Sequence, residues 1–506
     1  MISSSLFRTP DGKNRAFTFA LITSLFLLWG FLNGMIDVMD KHFQEELNLS
    51  LSQSAWVQFA HYLGYFLMAL PAGWLASKLG YKGGIITGLL MVAVGGFWFI
   101  AATNIATFWA FLLGVCLIAS GLTFLETVAN PYTTVLGPKE YAATRINLAQ
   151  SCNGIGWIFG PIAGAMFFYS TDAAGKSTGA ETLWVPYAAV GVVVLLLAIV
   201  FAKVELPDIK TADEYQIDSD GTAVRSGRAP AAAHGGTVGA AGRGLSTFLI
   251  WLNIVVLSAA FGMIVTAIAT VFDHDESHAL GIFLGAAAVS VVAGTVLLAI
   301  RGRNISGQSI WSHPHFSSAT LTQFFYVAAQ SGIFAYFINY MTSQAPVTIT
   351  NQTASTLASV GFILFLAGRF TGAWLLKKFP AHRILGLYGA LNVVICAVVM
   401  LKLGWISVVA VFLSYFFMSI MFPTIFALGI HGLGSRAKQA SSYIVMAIMG
   451  GAIVPKVMGH VADTSSVSVS FIVPLICFLA VTAYGYGWSK LSGSQGVIGV
   501  APTKGH

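Results

Sequence analysis

The chain has 506 residues, 56% of them apolar and only 9% charged. A water-soluble protein carries about a quarter of its residues charged, so the composition excludes a soluble fold and leaves lipid as the solvent. The net charge of +7 does not point to nucleic acid, because the bases are scattered over the breaks between apolar runs, as in the cytoplasmic loops of a membrane protein.

Residues 1–16 read as a polar cytoplasmic tail. The text MISSSLFRTPDGKNR is too polar for the short basic start of a cleaved signal, and the apolar stretch behind it is too long for one. Apolar runs long enough to cross a hydrocarbon core of about 30 Å are predicted near 17–39, 54–77, 84–103, 106–135, 146–170 and 183–203, giving a first six-helix bundle over 17–204. Residues 205–245 cannot bury enough apolar surface to fold alone and are expected to form a flexible cytoplasmic linker. Two runs near 246–271 and 279–300 form an inserted pair (246–301) around the acidic text DHDESH. Six more, near 317–341, 353–377, 383–402, 404–430, 438–461 and 468–489, form a second bundle over 313–490, and 491–506 is a second cytoplasmic tail. The expected fold is an all-α polytopic membrane protein with fourteen transmembrane helices, as six, two and six.

Loop charge sets the orientation. With the N-terminus inside, the cytoplasmic segments collect Arg8, Lys13, Lys78, Lys82, Lys139, Arg145 and most later bases, while the outer loops carry only Lys41, Lys176 and Lys402. Both termini are therefore expected in the cytoplasm. The four cysteines, Cys116, Cys152, Cys396 and Cys477, stand in apolar text without paired spacing and read as packing residues. The halves repeat: Trp74 and Trp374, 300 residues apart, head matching W-L-x-x-K segments. Paired six-helix halves suit a rocking transporter with its substrate held between them.

Two acids stand inside apolar text, Asp37 in LLWGFLNGMIDVM and Glu126 in GLTFLETVANPYTTVLGP. A carboxylate in hydrocarbon costs at least about 2.5–3.5 kcal/mol on insertion scales, so such residues usually face a cavity and handle ions or substrate. Asp37 has a second reading, as the start of the polar DKHFQEE loop. Glu126 has one too, as a structural acid bonded to a neighbouring helix.

The segment Gly73–Lys82, GWLASKLGYK, resembles the cytoplasmic loop motif of the major facilitator superfamily, with Ser77 where that family usually has an acid. Its small residues permit a tight turn, and Arg369 on GRFTG holds the corresponding place in the second half. Gly73, Lys78, Lys82 and Arg369 are expected to be conformational latches or anchors. A closer resemblance follows from LETVANP (125–131) with VLGP (135–138), from RINLAQ (145–150) with Asn153, and from QFFYVAAQ, GRFTGAWL, FPTIFALGI and GGAIVPKVMG in the second half. These are similar to the fucose:proton symporter family, over both bundles but not over 205–305. The polar cluster before the first-helix acid is thinner than in that family, with Gly34, Met35 and Ile36.

The resemblance implies a major facilitator core that carries a monosaccharide inward with a proton, with Asp37 and Glu126 in the proton-coupling positions. A carboxylate shielded from water can take up and release protons near neutrality, and a sugar hydroxyl that bonds one protonation state better supplies the coupling. Gln150 and Asn153 share a face of the fifth helix and either hold sugar hydroxyls or bond between helices. Asn33 and Asn130, beside the acids, either line the cavity or bond backbone. Gln323, Tyr326 and Gln330 fall at i, i+3 and i+7, a stripe suited to a sugar face, although Tyr326 equally suits packing. Asn339 and Asn392 are further candidate amides. His61, beside Tyr62 and Tyr65, is an interface histidine or a proton relay. Lys456 either snorkels outward beside His460 and Asp463 or enters the cavity. His274 and His278 form a solvated loop or a zinc loop.

The resulting expectation is a proton-coupled monosaccharide symporter of the inner membrane, a monomer in lipid, working by alternating access without cofactor, metal or nucleic-acid partner. Fucose, glucose, galactose and N-acetylglucosamine stay open as cargo. Sodium-coupled or uncoupled sugar transport, or efflux of another small solute, are the alternatives; the chain carries no nucleophile–base set of an enzyme.

Overall fold

The computed structural model describes residues 7, 14–46, 49–136, 142–169, 182–206, 240–273, 278–301, 309–376, 379–431, 433 and 437–493. Most of the linker, the centre of the DHDESH loop and the C-terminal tail lie outside them. With no water in the bilayer core, each spanning backbone must satisfy its own polar groups, and in apolar text of this length the helix does so.

The first half contains α1 (Ala16–Glu46), the single-turn α2 (Leu51–Ser54), α3 (Trp56–Ile105), α4 (Phe108–Val135), α5 (Ala142–Phe167) and α6 (Trp184–Lys203). The inserted pair is α7 (Ala240–Asp273) and α8 (Ala279–Arg301). The second half contains α9 (Pro314–Ala335), α10 (Phe337–Gln344), α11 (Asn351–Leu376), α12 (Ala381–Met400), α13 (Trp405–Met418), α14 (Met421–Ile430), α15 (Ala437–Met446), α16 (Gly450–Thr464), α17 (Val467–Ser470) and α18 (Ile472–Ser492). The face at which α1 begins is called near, and the face at which it ends, far.

Eleven helices among the described residues are long and apolar enough to cross a membrane, and the pair α9–α10, bent by 47° at Tyr336, makes twelve. Length and apolarity alone therefore support twelve of the expected fourteen spans. The part of α3 before Gly80, and α5, do not qualify, because they carry Gln58 and His61, and Arg145, Gln150 and Asn153. Polar residues that serve a site lower the apolarity by which a span is recognised.

Helix α3 is one continuous run broken at Gly80, whose φ of 68° and ψ of −176° only glycine adopts readily. The turn of the loop motif thus rests on Gly80 and not on Gly73, where an added Cβ would meet nothing. Lys82 Nζ donates to the carbonyls of Ala202 at 2.7 Å and Val204 at 3.0 Å, capping the end of α6. Lys78 lies over the Trp74 ring at 4.0 Å. Gly80→Ala should therefore cost about 1–3 kcal/mol and lower the thermal midpoint of the detergent-solubilised protein, whereas Gly73→Ala should leave it unchanged.

Helices α1 and α5 pack backbone to backbone. A Cβ on Gly30 would stand 2.0 Å from the Asn153 oxygen, on Gly156 2.2 Å from the Leu27 oxygen, and on Gly160 2.6 Å from the carbonyl carbon of Gly34. Gly30 and Gly34 face Gly156 and Gly160, a small-residue seam in each helix at a four-residue spacing. Helix α5 also joins the halves. Along its length the second half donates to its carbonyls: Arg369 Nη1 to Gln150 (3.1 Å), Ser359 to Ile158 (2.7 Å), Ser355 to Pro161 (2.8 Å) and Gln352 to Ala165 (3.4 Å).

The inserted pair sits at the side. Asn253 Nδ2 of α7 donates to the Ser317 carbonyl of α9 at 3.0 Å. Along α8, by contrast, Leu284, Val289, Val292, Val296 and Ile300 are all exposed.

Candidate functional site

Glu126 of α4 is only 9% exposed. It borders a cavity of about 10 Å³, lined also by Leu25, Phe26, Trp29, Leu125 and Ala129. Such a space holds about one water molecule and no sugar. The carboxyl group makes no hydrogen bond with another described residue. Across the cavity, Trp29 Nε1 donates to Tyr65 Oη at 2.6 Å, and the Tyr65 hydroxyl lies within electrostatic reach of Glu126. The His61 ring lies 5.0 Å from both Tyr62, edge-on, and Tyr65, tilted, so it faces aromatic neighbours.

Asn33 is buried, and its Oδ1 has no hydrogen-bond partner among the described residues. Asp37 continues the same stripe of α1 one turn further on; its side chain, like that of Asn130, lies outside the described residues. Sequence reasoning missed Trp29 and saw Tyr65 only as a neighbour of His61. The available signal was the i, i+4, i+8 spacing of Trp29, Asn33 and Asp37 on α1.

Asn153 reaches the backbone of Phe26, a residue that lines the cavity, its Nδ2 donating to the Phe26 carbonyl at 3.3 Å. That donor ties α5 to α1. Gln150 is half-buried, with its carbonyl held by Arg369. Arg369 also donates from Nε to the Ser419 carbonyl at 3.4 Å and lies over the Phe365 ring at 5.1 Å, so it bridges the halves as a latch would. In the second half, Tyr326 Oη donates to the Met418 carbonyl at 3.0 Å, the packing role. Gln323 is fully buried, with neither amide atom bonded to a described residue, a state that costs about 1–3 kcal/mol per group until a partner satisfies it. Gln330 is half-buried on the same stripe. Asn33, Glu126 and Asn153 are thus brought together, and Tyr326 stands apart from them.

The far face is clasped shut. Asn339 Nδ2 donates to Gln44 Oε1 at 2.6 Å, Asn351 donates to Glu45, and the Leu51 N–H donates to Asp463 Oδ1 at 3.0 Å. Tyr336 Oη lies 2.9 Å from the Leu51 carbonyl and 3.0 Å from that of Pro455. Lys456 Nζ lies 4.0 Å over the ring of Trp56 in the opposite half. Asp40, fully buried, accepts from Gln58 Nε2 at 3.4 Å, and Gln58 Oε1 accepts from Ser331 of the opposite half at 3.2 Å. Tyr336→Phe removes a hydroxyl shared by two carbonyls. It should speed labelling of a cysteine at position 44 by an impermeant thiol reagent about threefold to tenfold, the worth of one net hydrogen bond.

Comparison with known proteins agrees with this geometry. Residues 17–303 match the family pattern of the Major Facilitator Superfamily. The L-fucose-proton symporter of Escherichia coli (strain K12) is 32% identical over 486 residues, 95% of this chain and 96% of that protein. A glucose/galactose transporter of Brucella abortus (strain 2308) is 28% identical over 484 residues, again 95% and 96%. The crystal structure of the E. coli fucose:proton symporter FucP matches with a TM-score of 0.60 at 29% identity, over 94% of this chain and 100% of that one. These relatives are transporters and not enzymes. The chain is a multi-pass membrane protein that belongs to the Major Facilitator Superfamily, in the family of the L-fucose-proton symporters.

Proposed function

We propose that the chain carries a monosaccharide inward together with a proton, by alternating access, with fucose, glucose, galactose and N-acetylglucosamine as the cargo class. The observation that carries this reading is Glu126, a buried carboxyl with no hydrogen bond to another described residue, bordering a small cavity beside Trp29 and Tyr65. Asp37 and Glu126 exchange the proton. Asn33, Asn130, Gln150, Asn153, Gln323 and Gln330 supply amides to the sugar, and Tyr326 buttresses the second half. The clasped far face and the Arg369 bridge support an occluded state.

The near face is the cytoplasmic one in this reading, since Lys78, Lys82 and Arg145 cluster there against Lys41 and Lys402 on the other. Counting α5 and the first part of α3 with the twelve apolar spans gives fourteen crossings. They fall into bundles 17–204 and 313–490 joined by linker 205–245 and the lipid-facing pair 246–301, which takes no part in the chemistry. The carrier works as a monomer of the inner membrane and needs no cofactor beyond the proton.

The test is proton movement by the purified protein in sodium-free liposomes. Alkalinisation of the outside medium on adding one of the four sugars supports the reading and names the cargo. Silence across the panel from folded protein overturns it, and a response that requires sodium overturns the choice of ion alone.

A further inference from the structure

Trp157 sits on α5 one helical turn beyond Asn153, where α5 passes closest to α1. A Cβ on Gly30 would come within 3.0 Å of its indole Cδ1. From there the ring reaches the opposite half. It packs at 5.5 Å edge-on against Phe334 of α9 and at 4.8 Å against Phe362 of α11. These two rings form one cluster with Tyr415, which stacks on Phe334 at 4.5 Å. Phe334 in turn stands one turn beyond Gln330.

The indole is half-buried, and its N–H makes no hydrogen bond with a described residue. The indole N–H groups of Trp29, Trp98 and Trp488 are bonded, as is usual for a Trp placed inside a protein, while that of Trp56 also has no partner among the described residues. The cavity beside Glu126 is too small for a sugar, so a side chain must move aside before one enters. Trp157 does not border that cavity; it stands between the halves one turn from Asn153, its ring packed on Phe334 and Phe362 of the second half, and parting the halves frees it.

Resting on the sugar reading above, we propose that Trp157 is both the midplane plug of the empty carrier and the platform for the sugar. With the halves parted, the C–H face of a pyranose stacks on the indole, as apolar ring faces do on aromatic side chains, and the indole N–H donates to a sugar hydroxyl. Asn153, one turn away, fixes the ring's edge.

The experiment is sugar binding and Trp emission in wild type, Trp157→Phe and Trp157→Ala, each checked for a single monodisperse peak in detergent. Wild type should show a sugar-dependent change in emission. Trp157→Phe, which keeps the packing and loses the N–H, should lose that change and weaken binding several-fold. Trp157→Ala should raise the apparent Kd about tenfold or more, the worth of one stacked ring with its hydrogen bond. Kd within twofold of wild type in both variants, with the emission change intact, overturns the proposal. No response from wild type to any of the sugars overturns the sugar reading itself, so the two failures are distinct.

Discussion

Glu126→Gln abolishes sugar accumulation against a gradient while leaving sugar exchange across the membrane. Glutamine matches the shape of the carboxyl and cannot carry the proton. One proton entering down a potential of 100 mV supplies about 2.3 kcal/mol, enough for roughly fifty-fold accumulation of sugar. In the variant the ratio should fall to one, while counterflow of labelled against unlabelled sugar persists. Because the carboxyl makes no hydrogen bond with another described residue, the change should not unfold the protein. The readout is uptake into vesicles with an imposed potential. Accumulation above unity by Glu126→Gln would move the proton elsewhere, with Asp37 the next group to replace.

The second large effect is structural. Gly30→Val and Gly156→Val each drive a branched side chain into backbone of the partner helix, where a Cβ alone would already lie 2.0 and 2.2 Å from carbonyl oxygens. A core side chain can yield to an intruding methyl, but helix backbone cannot without moving the whole helix. The cost therefore exceeds the range of about 1–3 kcal/mol usual for overpacked cores. Neither variant should give a monodisperse peak in detergent. Gly73→Val and Gly487→Val, where an added Cβ meets nothing, should behave as wild type in the same assay. Equal yields from all four would show that α1 and α5 do not pack as described.

The fold was legible because lipid imposes a simple code: long apolar runs, basic breaks and a repeated W-L-x-x-K. The two acids stood out for the same reason, as charges where charge is costly. What the code could not show was direction. The spacing of Gln323, Tyr326 and Gln330 put them on one face, yet Tyr326 turns to the Met418 carbonyl, a neighbour 92 positions away in the chain. The far-face clasp joins Gln44 with Asn339 and Leu51 with Asp463, pairs that no spacing along the chain links. The polar text DKHFQEE, which includes Asp40, reads as a loop. In the structure α1 runs on to Glu46 and buries Asp40 completely. Polarity marked a gate there and was taken for solvent.

The glycine seam between α1 and α5 also bears on how proton and sugar sense each other. With no side chains between their backbones, the two helices travel as one plank when the halves rock. The plank carries Asn33 and the Asp37 backbone on one edge, and Gln150, Asn153 and Trp157 on the other. Conversation between the two cargoes therefore needs no relay through the protein: charging one edge and loading the other act on the same rigid piece. A carrier built this way should tolerate much variation in its outer helices and almost none in the thin strip where two chains of backbone touch.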